Sequence, residues 1–462
     1  MRFFDFRSAM ARHTKILLAA GIVLFFPLGI RADAVQGVTG NSPLRLSPDA
    51  AVELAIRNNL GLEAARVSAG TARRASNLAW NQFIPSVEAG GTMSRLNSVI
   101  QSPLPQWGVS SSISATLSLN VAMFQEMGRL RLEYERGLIS YGMARVRLER
   151  DIRKAYHNML LLQENVALLH GSLENSERQA QIAEANFNAG RASELVLLQA
   201  QVARENLRPI IDQAESGLAL SMMQFSMFLG LSHDTYFELM PVMAEMSPIP
   251  LDITMLVSRA ASGQPDVQAL RQEILIMNSL RQSGNLWLFT PTFSLGWNAD
   301  PTFSGDPWND PWSERDRWNQ HYGAFSVSVL FRLNGLLPFG TERQGIRALE
   351  DQIRLASIGL AQMIRGTEIE IHSLVLELER IQLSMEAMKQ TVALAERSFH
   401  LTEEAHRVGL VDLFQVQNAE QSLRQARMHL LEQQFYYRNG LLDLEYALGL
   451  HFGTLALTGS FD

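Results

Sequence analysis

Residues 109–121 read VSSSISATLSLNV. Ile113, Ala115, Leu117, Leu119 and Val121 take the odd positions, while Ser110, Ser112, Ser114, Thr116, Ser118 and Asn120 take the even ones. Successive side chains of a strand point to opposite faces, so one face here is apolar and the other small, polar and uncharged. A half-buried strand of a soluble sheet also alternates, but its wet face ordinarily carries charges. The pattern suits a strand with hydrocarbon on one side and a watery lumen on the other.

Three more segments share this parity. Val87, Ala89, Gly91 and Met93 alternate with Ser86, Glu88, Gly90, Thr92 and Ser94; Phe293, Leu295 and Trp297 with Ser294, Gly296 and Asn298; Phe325, Val327, Val329 and Phe331 with Ser326, Ser328 and Arg332. Runs of about ten residues suit a tilted bilayer crossing. The lipid-facing set is therefore expected to include Ile113, Ala115, Leu117, Leu119, Phe325, Val327, Val329 and Phe331. The seven tryptophans, at 80, 107, 287, 297, 308, 312 and 318, lie in or beside this strand material, as an interfacial belt requires. Four strands cannot close a barrel, open edges are not tolerated in hydrocarbon, and small barrels begin at about eight strands. Two or more copies must therefore complete the sheet.

The 462-residue chain is 47% hydrophobic, carries a net charge of −7 and has no cysteine. Disulfides, thiolate metal sites, thiol nucleophiles and lipid attachment at an N-terminal cysteine are excluded. Residues 1–34 read as an export signal: Arg2, Arg7, Arg12 and Lys15 precede the apolar run Ile16 to Ile30, and Ala32-Asp33-Ala34 offers a cleavage site. That segment has five basic and two acidic residues, leaving a mature chain near −10, which disfavours nucleic acid or an anionic membrane surface as partner. No later stretch is long and apolar enough for a spanning helix.

A repeat organises the rest. FNAGRASELVLLQAQ, from Phe187, parallels HRVGLVDLFQVQNAE, from His406, and Gly230 parallels Gly449, both at an offset of 219 residues. Upstream of each tip glycine runs a heptad seam: Leu130 to Ala180 in the first copy, and Ile346, Leu349, Ile353, Ala356, Leu360, Met363, Thr367, Ile371 onward to Phe399 in the second. Each seam has one stutter, at Ala144/Leu148/Ile152 and Met363/Thr367/Ile371. Helices of about 60 residues, on the order of 90 Å, follow. A second stripe, Leu355, Ile369, Leu376 and Leu383, belongs either to the core or to a further neighbour. Gly190 and Gly409 turn the chain, and Ser193 and Asp412 stand where N-caps belong.

The expected organisation is a signal peptide over 1–34 and two repeats, 35–240 and 241–462. The first has a strand pair at about 85–122 and a hairpin at about 124–230 with its tip at 190–193. The second has a strand pair at about 291–332 and a hairpin at about 340–449 with its tip at 409–412.

This constellation resembles the TolC family of outer membrane efflux proteins. LSPDAAVELAIRNNLGLEAAR, from Leu46, is similar to the family's opening helix, and WNQFIPSVEAGG, from Trp80, to its run into the first strand. The resemblance implies a mainly α fold with β: coiled-coil hairpins forming a periplasmic tunnel, and four strands per chain in a shared twelve-stranded barrel of a homotrimer in the outer membrane. It implies a periplasmic adaptor and an inner-membrane pump as partners, with adaptor contact at Gly190, Arg191, Ala192, Ser193, Gly409, Leu410, Val411 and Asp412. Positions that are acidic at the tunnel constriction of some members are Gln415 and Asn418 here, so a polar, uncharged constriction is expected.

Other readings fit less of the chain. The histidines form no HExxH, no phosphate-binding glycine loop occurs, and no enzyme activity or cofactor is expected. A periplasmic coiled-coil adaptor would explain a hairpin but not its duplication beside lipid-facing strands. Met240, Met243 and Met246 suit Cu(I) in a copper-specific duct, or flexible packing. Asp300, Asp306, Asp310 and Asp316 suit Ca2+, or a solvated loop.

Overall fold

The structure, a computed structural model, describes residues 44–95, 107–232, 235–241, 256, 264–319 and 323–455. The chain divides into the units Met1–Pro43 and Leu44–Asp462. The export signal expected over residues 1–34, the loop with Pro103 and Pro105, and Met243 and Met246 lie outside the described residues. In chain order the elements are β1 (Leu44–Leu46), α1 (Pro48–Asn58), α2 (Leu60–Asn77), β2 (Ser86–Arg95), β3 (Trp107–Leu119), α3 (Ala122–Asn188), α4 (Glu194–Phe228) and β4 (Phe237–Leu239), followed by α5 (Pro265–Phe289), β5 (Thr292–Ala299), β6 (Thr302–Phe303), β7 (Trp318–Asn319), β8 (Ala324–Leu330), α6 (Thr341–Arg407) and α7 (Leu413–Leu448).

The repeat is written into the helices. Both α3 and α6 have 67 residues, about 100 Å at 1.5 Å per residue. Their starts, their ends and the starts of α4 and α7 are all separated by 219 residues. Every seam position of α6 from Ile346 to Phe399 is buried or half-buried. By contrast Leu355, Ile369, Leu376 and Leu383 are 59–75% exposed, so the second stripe is no part of this chain's own core.

The stutters coincide with the two main cores. Ile152 and Ile371 are each fully buried. Around Ile152 gather Tyr156, Met159, Phe225 and Phe237, beneath the parallel pair β1–β4. The Tyr156 hydroxyl lies 2.8 Å from Leu46 O and 2.7 Å from Met240 O, so it ties both strands to α3. Around Ile371 gather Val375, Leu378, Tyr437, Leu441 and Leu444. Here Glu445 Oε2 and Oε1 accept the backbone N–H groups of Gly453 (2.9 Å) and Leu455 (2.8 Å), which seals the segment after α7.

Helices hand over at mid-length. Towards the strands, neighbours pack in the order α2, α3, α5, α6; towards the hairpin ends the order is α4, α3, α7, α6. Asn59 makes the first handover, capping α2 through Leu62 N (3.1 Å) while its amide donates to Phe228 O at the end of α4 (3.1 Å). Gly230 has φ +71°, and a Cβ there would sit 2.5 Å from Asn58 O, so only glycine fits. No described helix is long and apolar enough to cross a membrane.

Four long segments form the sheet. β2 pairs with β3, β3 with β5 and β5 with β8, all antiparallel. β6 continues the line of β5 along β3 after a break at Asp300-Pro301, which Pro301 O bridges by accepting from Ser111 N at 2.9 Å. β7 pairs with β6 in turn, so the second strand pair extends past the ends expected from the sequence.

Candidate functional site

The register sorts the side chains into two faces. Val87, Ala115, Trp297 and Phe325 are successive neighbours across the four strands; Leu117, Leu295 and Val327 form a second row, and Leu119, Phe293 and Val329 a third. The opposite face carries Ser86, Thr116, Gly296 and Ser326 in one row and Ser118, Ser294 and Ser328 in another. Ser118 Oγ and Ser294 Oγ are 3.2 Å apart. Ile113 pairs with Ala89 on one side and Ala299 on the other, within the apolar face. That face is in contact with little else: Val87, Ile113, Phe293, Phe325, Val327, Val329 and Phe331 are all exposed. Large apolar surfaces of this extent are not left to water.

One junction holds the sheet to the helices. Asn120, 5% exposed, donates from Nδ2 to Pro291 O (3.1 Å), Thr292 Oγ1 (3.2 Å) and Thr290 O (3.4 Å), and its Oδ1 accepts from Ala122 N (2.8 Å) and Thr290 Oγ1 (3.2 Å). It thereby locks the β3–α3 corner of one repeat to the α5–β5 corner of the other. The sequence marks it only as the last even residue of the quoted strand.

The tryptophans divide into two groups. Trp80 and Trp287 lie at the helix end of the sheet and the rest towards the far end. Not all serve as a belt: Trp312 stacks on buried Phe303 (5.6 Å, 18°), Trp318 packs against both, and Trp312 Nε1 donates to Pro307 O, so these two form the core of a folded loop. That loop also occupies its own aspartates. Asp306 accepts from Trp308 N (2.9 Å) and Asn309 Nδ2 (2.8 Å), Asp310 pairs with Arg317 (2.7 Å), and Asp300 accepts from Asn298 Nδ2 (2.6 Å). No group of three or more His, Asp or Glu placed to hold a metal ion exists among the described residues.

At the other end, Gly190 and Gly409 have φ +69° and +80° and close their helices by the expected left-handed turn. Arg191 N and Ala192 N donate to Asn186 O (2.8 and 3.2 Å), and Leu410 N to Ala405 O (2.9 Å). Asp412 caps α7 by accepting from Gln415 N at 3.0 Å. Ser193 has the extended backbone of an N-cap, but its side chain makes no cap hydrogen bond. His406 Nδ1 lies 3.0 Å from Val411 O, a contact that folds the second tip onto its helix. Phe187, Leu195, Val408, Leu410 and Phe414 leave both tips ringed with exposed apolar side chains.

The tips touch. Leu413, buried, enters a pocket of Ala180, Ala183 and Ala200 with Val196 and Leu197 beside it. Gln415 and Asn418 are exposed on the side of α7 away from this contact. Val196, their counterpart by the repeat, is packed against Leu413, so only Gln199 is equivalent in exposure. One turn above, Glu420 sits in the seam between α3 and α7 and accepts from Asn175 Nδ2 at 3.3 Å. Burial first, and Glu403 in addition, hold its carboxyl above the ordinary range, against the pull of Asn175 and Arg424.

The model of the outer membrane efflux protein family matches residues 51–218. No curated protein matches the chain in sequence. Three solved structures are similar in fold. The outer membrane channel CmeC of Campylobacter jejuni shares 16% identity at a TM-score of 0.71, over 90% of this chain and 87% of its own. CusC, studied for conformational changes accompanying folding and transmembrane channel formation, shares 17% at 0.69, over 87% and 92%. The outer membrane protein VceC of Vibrio cholerae shares 17% at 0.66, over 88% and 96%. Residues 51–218 thus carry the signature of the outer membrane efflux protein family, and the chain around them has the fold of the TolC-family channels that its sequence resembles.

Proposed function

We propose that three copies of this chain form an outer-membrane duct, passive in itself, through which a tripartite efflux pump or a type I secretion system expels its cargo. The observation that carries this is the incompleteness of the single chain. β2 and β8 each have one edge without a strand partner among the described residues, and the face between them is apolar. Such edges are excluded from hydrocarbon unless the sheet closes, and three sets of four strands close it as twelve. The helices have matching flanks. α4 exposes Leu195, Val202, Leu220 and Met227, and α6 exposes Leu355, Ile369, Leu376 and Leu383. Packed α4 to α6 around a threefold axis, they continue the barrel as a helical tunnel into the periplasm.

The two apolar tips, with Gly190–Ser193 and Gly409–Asp412 at their ends, are the docking points for a periplasmic adaptor linked to an inner-membrane pump. Gln415 and Asn418 line the narrowest ring. A free-standing adaptor does not need the sheet's apolar face, which favours the duct. The test is biochemical: the purified protein is expected to run as a trimer in detergent and to conduct ions in planar bilayers. A monomer that stays in the aqueous phase on detergent partitioning refutes the reading.

A further inference from the structure

The two repeats differ most where strand passes into helix. In the first, β3 ends at Leu119 and α3 begins at Ala122; in the second, ten residues, FRLNGLLPFG (331–340), separate β8 from α6. This linker lies directly on α5. A Cβ at Gly335 would sit 2.2 Å from Leu288 Cγ, so the linker is in close contact with the helix. Beside it opens a cavity of about 540 Å³ between α3, α5 and α6, with Glu126, Trp287, Arg332 and Glu342 on its walls. Ser283, Gly284 and Gly345 keep it open by their small size. The volume falls in the range of small-molecule sites.

Its charges are unspent. The Arg332 guanidinium lies 4.9 Å above the Trp287 ring and has no carboxylate partner among the described residues. The Glu342 carboxylate has no cation; its contact is the neighbouring Thr341 hydroxyl at 3.2 Å. Glu126 is already taken by Arg129. The cavity therefore offers one open cationic and one open anionic group. Around it Phe331, Leu333, Leu337 and Phe339 are exposed, and Phe331 prolongs the apolar row of Phe325, Val327 and Val329. A charged cavity thus adjoins an apolar collar at the level where the sheet's lipid-compatible face ends.

On the reading of the chain as a barrel-forming channel, we propose that this cavity binds one zwitterionic phospholipid per protomer, of the class that joins a phosphate to a primary ammonium. Arg332 takes the phosphate, whose oxygens suit the guanidinium fork. Glu342 takes the ammonium, and the collar takes the acyl chains. A quaternary ammonium lacks the N–H donors that Glu342 would accept, and a glycerol headgroup lacks the cation, so the site discriminates among lipids of equal chain length.

The experiment uses the full-length trimer in nanodiscs of phosphatidylethanolamine, phosphatidylcholine or phosphatidylglycerol, read by native mass spectrometry during graded delipidation and by thermal unfolding. Wild type is expected to retain up to three phosphatidylethanolamine molecules after the other lipids are lost, and to unfold at a higher temperature in that lipid. Glu342→Gln, which keeps the shape, should cut this retention about tenfold while leaving phosphatidylglycerol retention unchanged, and Arg332→Ala should cut both. Soluble phosphoethanolamine should not compete at millimolar concentration if the collar contributes to binding; competition would overturn the lipid assignment. Equal retention and equal stability of the wild-type trimer in all three lipids would overturn the proposal while leaving the channel reading intact. Failure to form trimers in any bilayer would instead overturn the channel reading, and this site with it.

Discussion

Ile113→Arg tests the assignment of the two strand faces most directly. β3 has 13 residues, and at about 3.4 Å per residue with a tilt of about 45° it spans roughly 30 Å, the thickness of a bilayer core. Ile113 is its central residue, whereas Leu117, two residues from the helix end, lies only about 5 Å inside that boundary by the same geometry. An arginine facing lipid costs about 2–4 kcal/mol at the midplane and about 0–1 near the interface. Three copies would raise the first cost to about 6–12 kcal/mol per trimer, enough to prevent assembly. Leu117→Arg should be tolerated. The control is Ser114→Arg, at the same depth on the other face, where Glu88 and Asn298 are its cross-strand neighbours. An opposite charge directly across a strand contributes about 0.2–1 kcal/mol, so this variant should assemble and shift ion selectivity towards anions. The assay is the trimer fraction in isolated outer membranes by unheated gel electrophoresis, followed by reversal potentials in planar bilayers. If Ile113→Arg assembles like the wild type, or Ser114→Arg fails like Ile113→Arg, the faces are misassigned.

Asn120→Ala strips a buried N–H at Ala122 and two carbonyls of their partner, so a loss of about 2–4 kcal/mol is expected in denaturant unfolding; a change under 0.5 kcal/mol would mean the junction is not held by this side chain. Replacing Gln415 and Asn418 together by Asp should raise single-channel conductance and cation selectivity, with Gln199→Asp as the weaker control, and unchanged currents at every salt concentration would remove these residues from the constriction. Glu420→Gln addresses the seam. Because burial holds the Glu420 carboxyl above its ordinary value of 4.5, the folded state carries a cost that is absent below that pH, grows as pH rises through the folded pKa and is complete above it. The variant should therefore be more stable than wild type at pH 7.5 and indistinguishable at pH 4, as read by thermal unfolding; an advantage that grows on acidification would contradict this sign.

What could be read in the sequence was whatever has a period. The strand faces follow from alternation, and all the seam positions of α6 proved buried or half-buried because a heptad is a statement about one side of one helix. The tip glycines were legible because a left-handed turn admits few residues. What escaped has no period. β1 and β4 are three-residue strands, LRL and FEL, that pair across almost 200 residues, and nothing in either segment indicates the other. Asn120 looked like one more polar residue of a lumenal face, yet it is buried in the junction because the chain turns into α3 immediately after it. Val196 and Gln199 looked equivalent to Gln415 and Asn418 by the repeat, but Leu413 packs on Val196, a contact between hairpins that a comparison of copies cannot contain.

The same distinction explains why the second stripe of α6 was ambiguous and is now informative. Leu355, Ile369, Leu376 and Leu383 keep a seven-residue spacing without any partner in the chain, and the cost of exposing four such side chains, about 1.5–3 kcal/mol each, is too large for an arrangement meant to remain open. β2 and β8 leave hydrogen-bonding edges open at the other end of the same molecule. Both deficits are met by one operation, a rotation that sets α4 and β2 of one copy against α6 and β8 of the next, because β2 leads into α3 and α4, and β8 into α6. Closure of the barrel and closure of the tunnel are on this account a single event, so Leu376→Glu, some 50 residues along the chain from the membrane strands, should lower the yield of closed barrels as well as of tunnels. Trimeric barrels recovered at wild-type yield from that variant would show that the sheet closes by itself and that the helices follow.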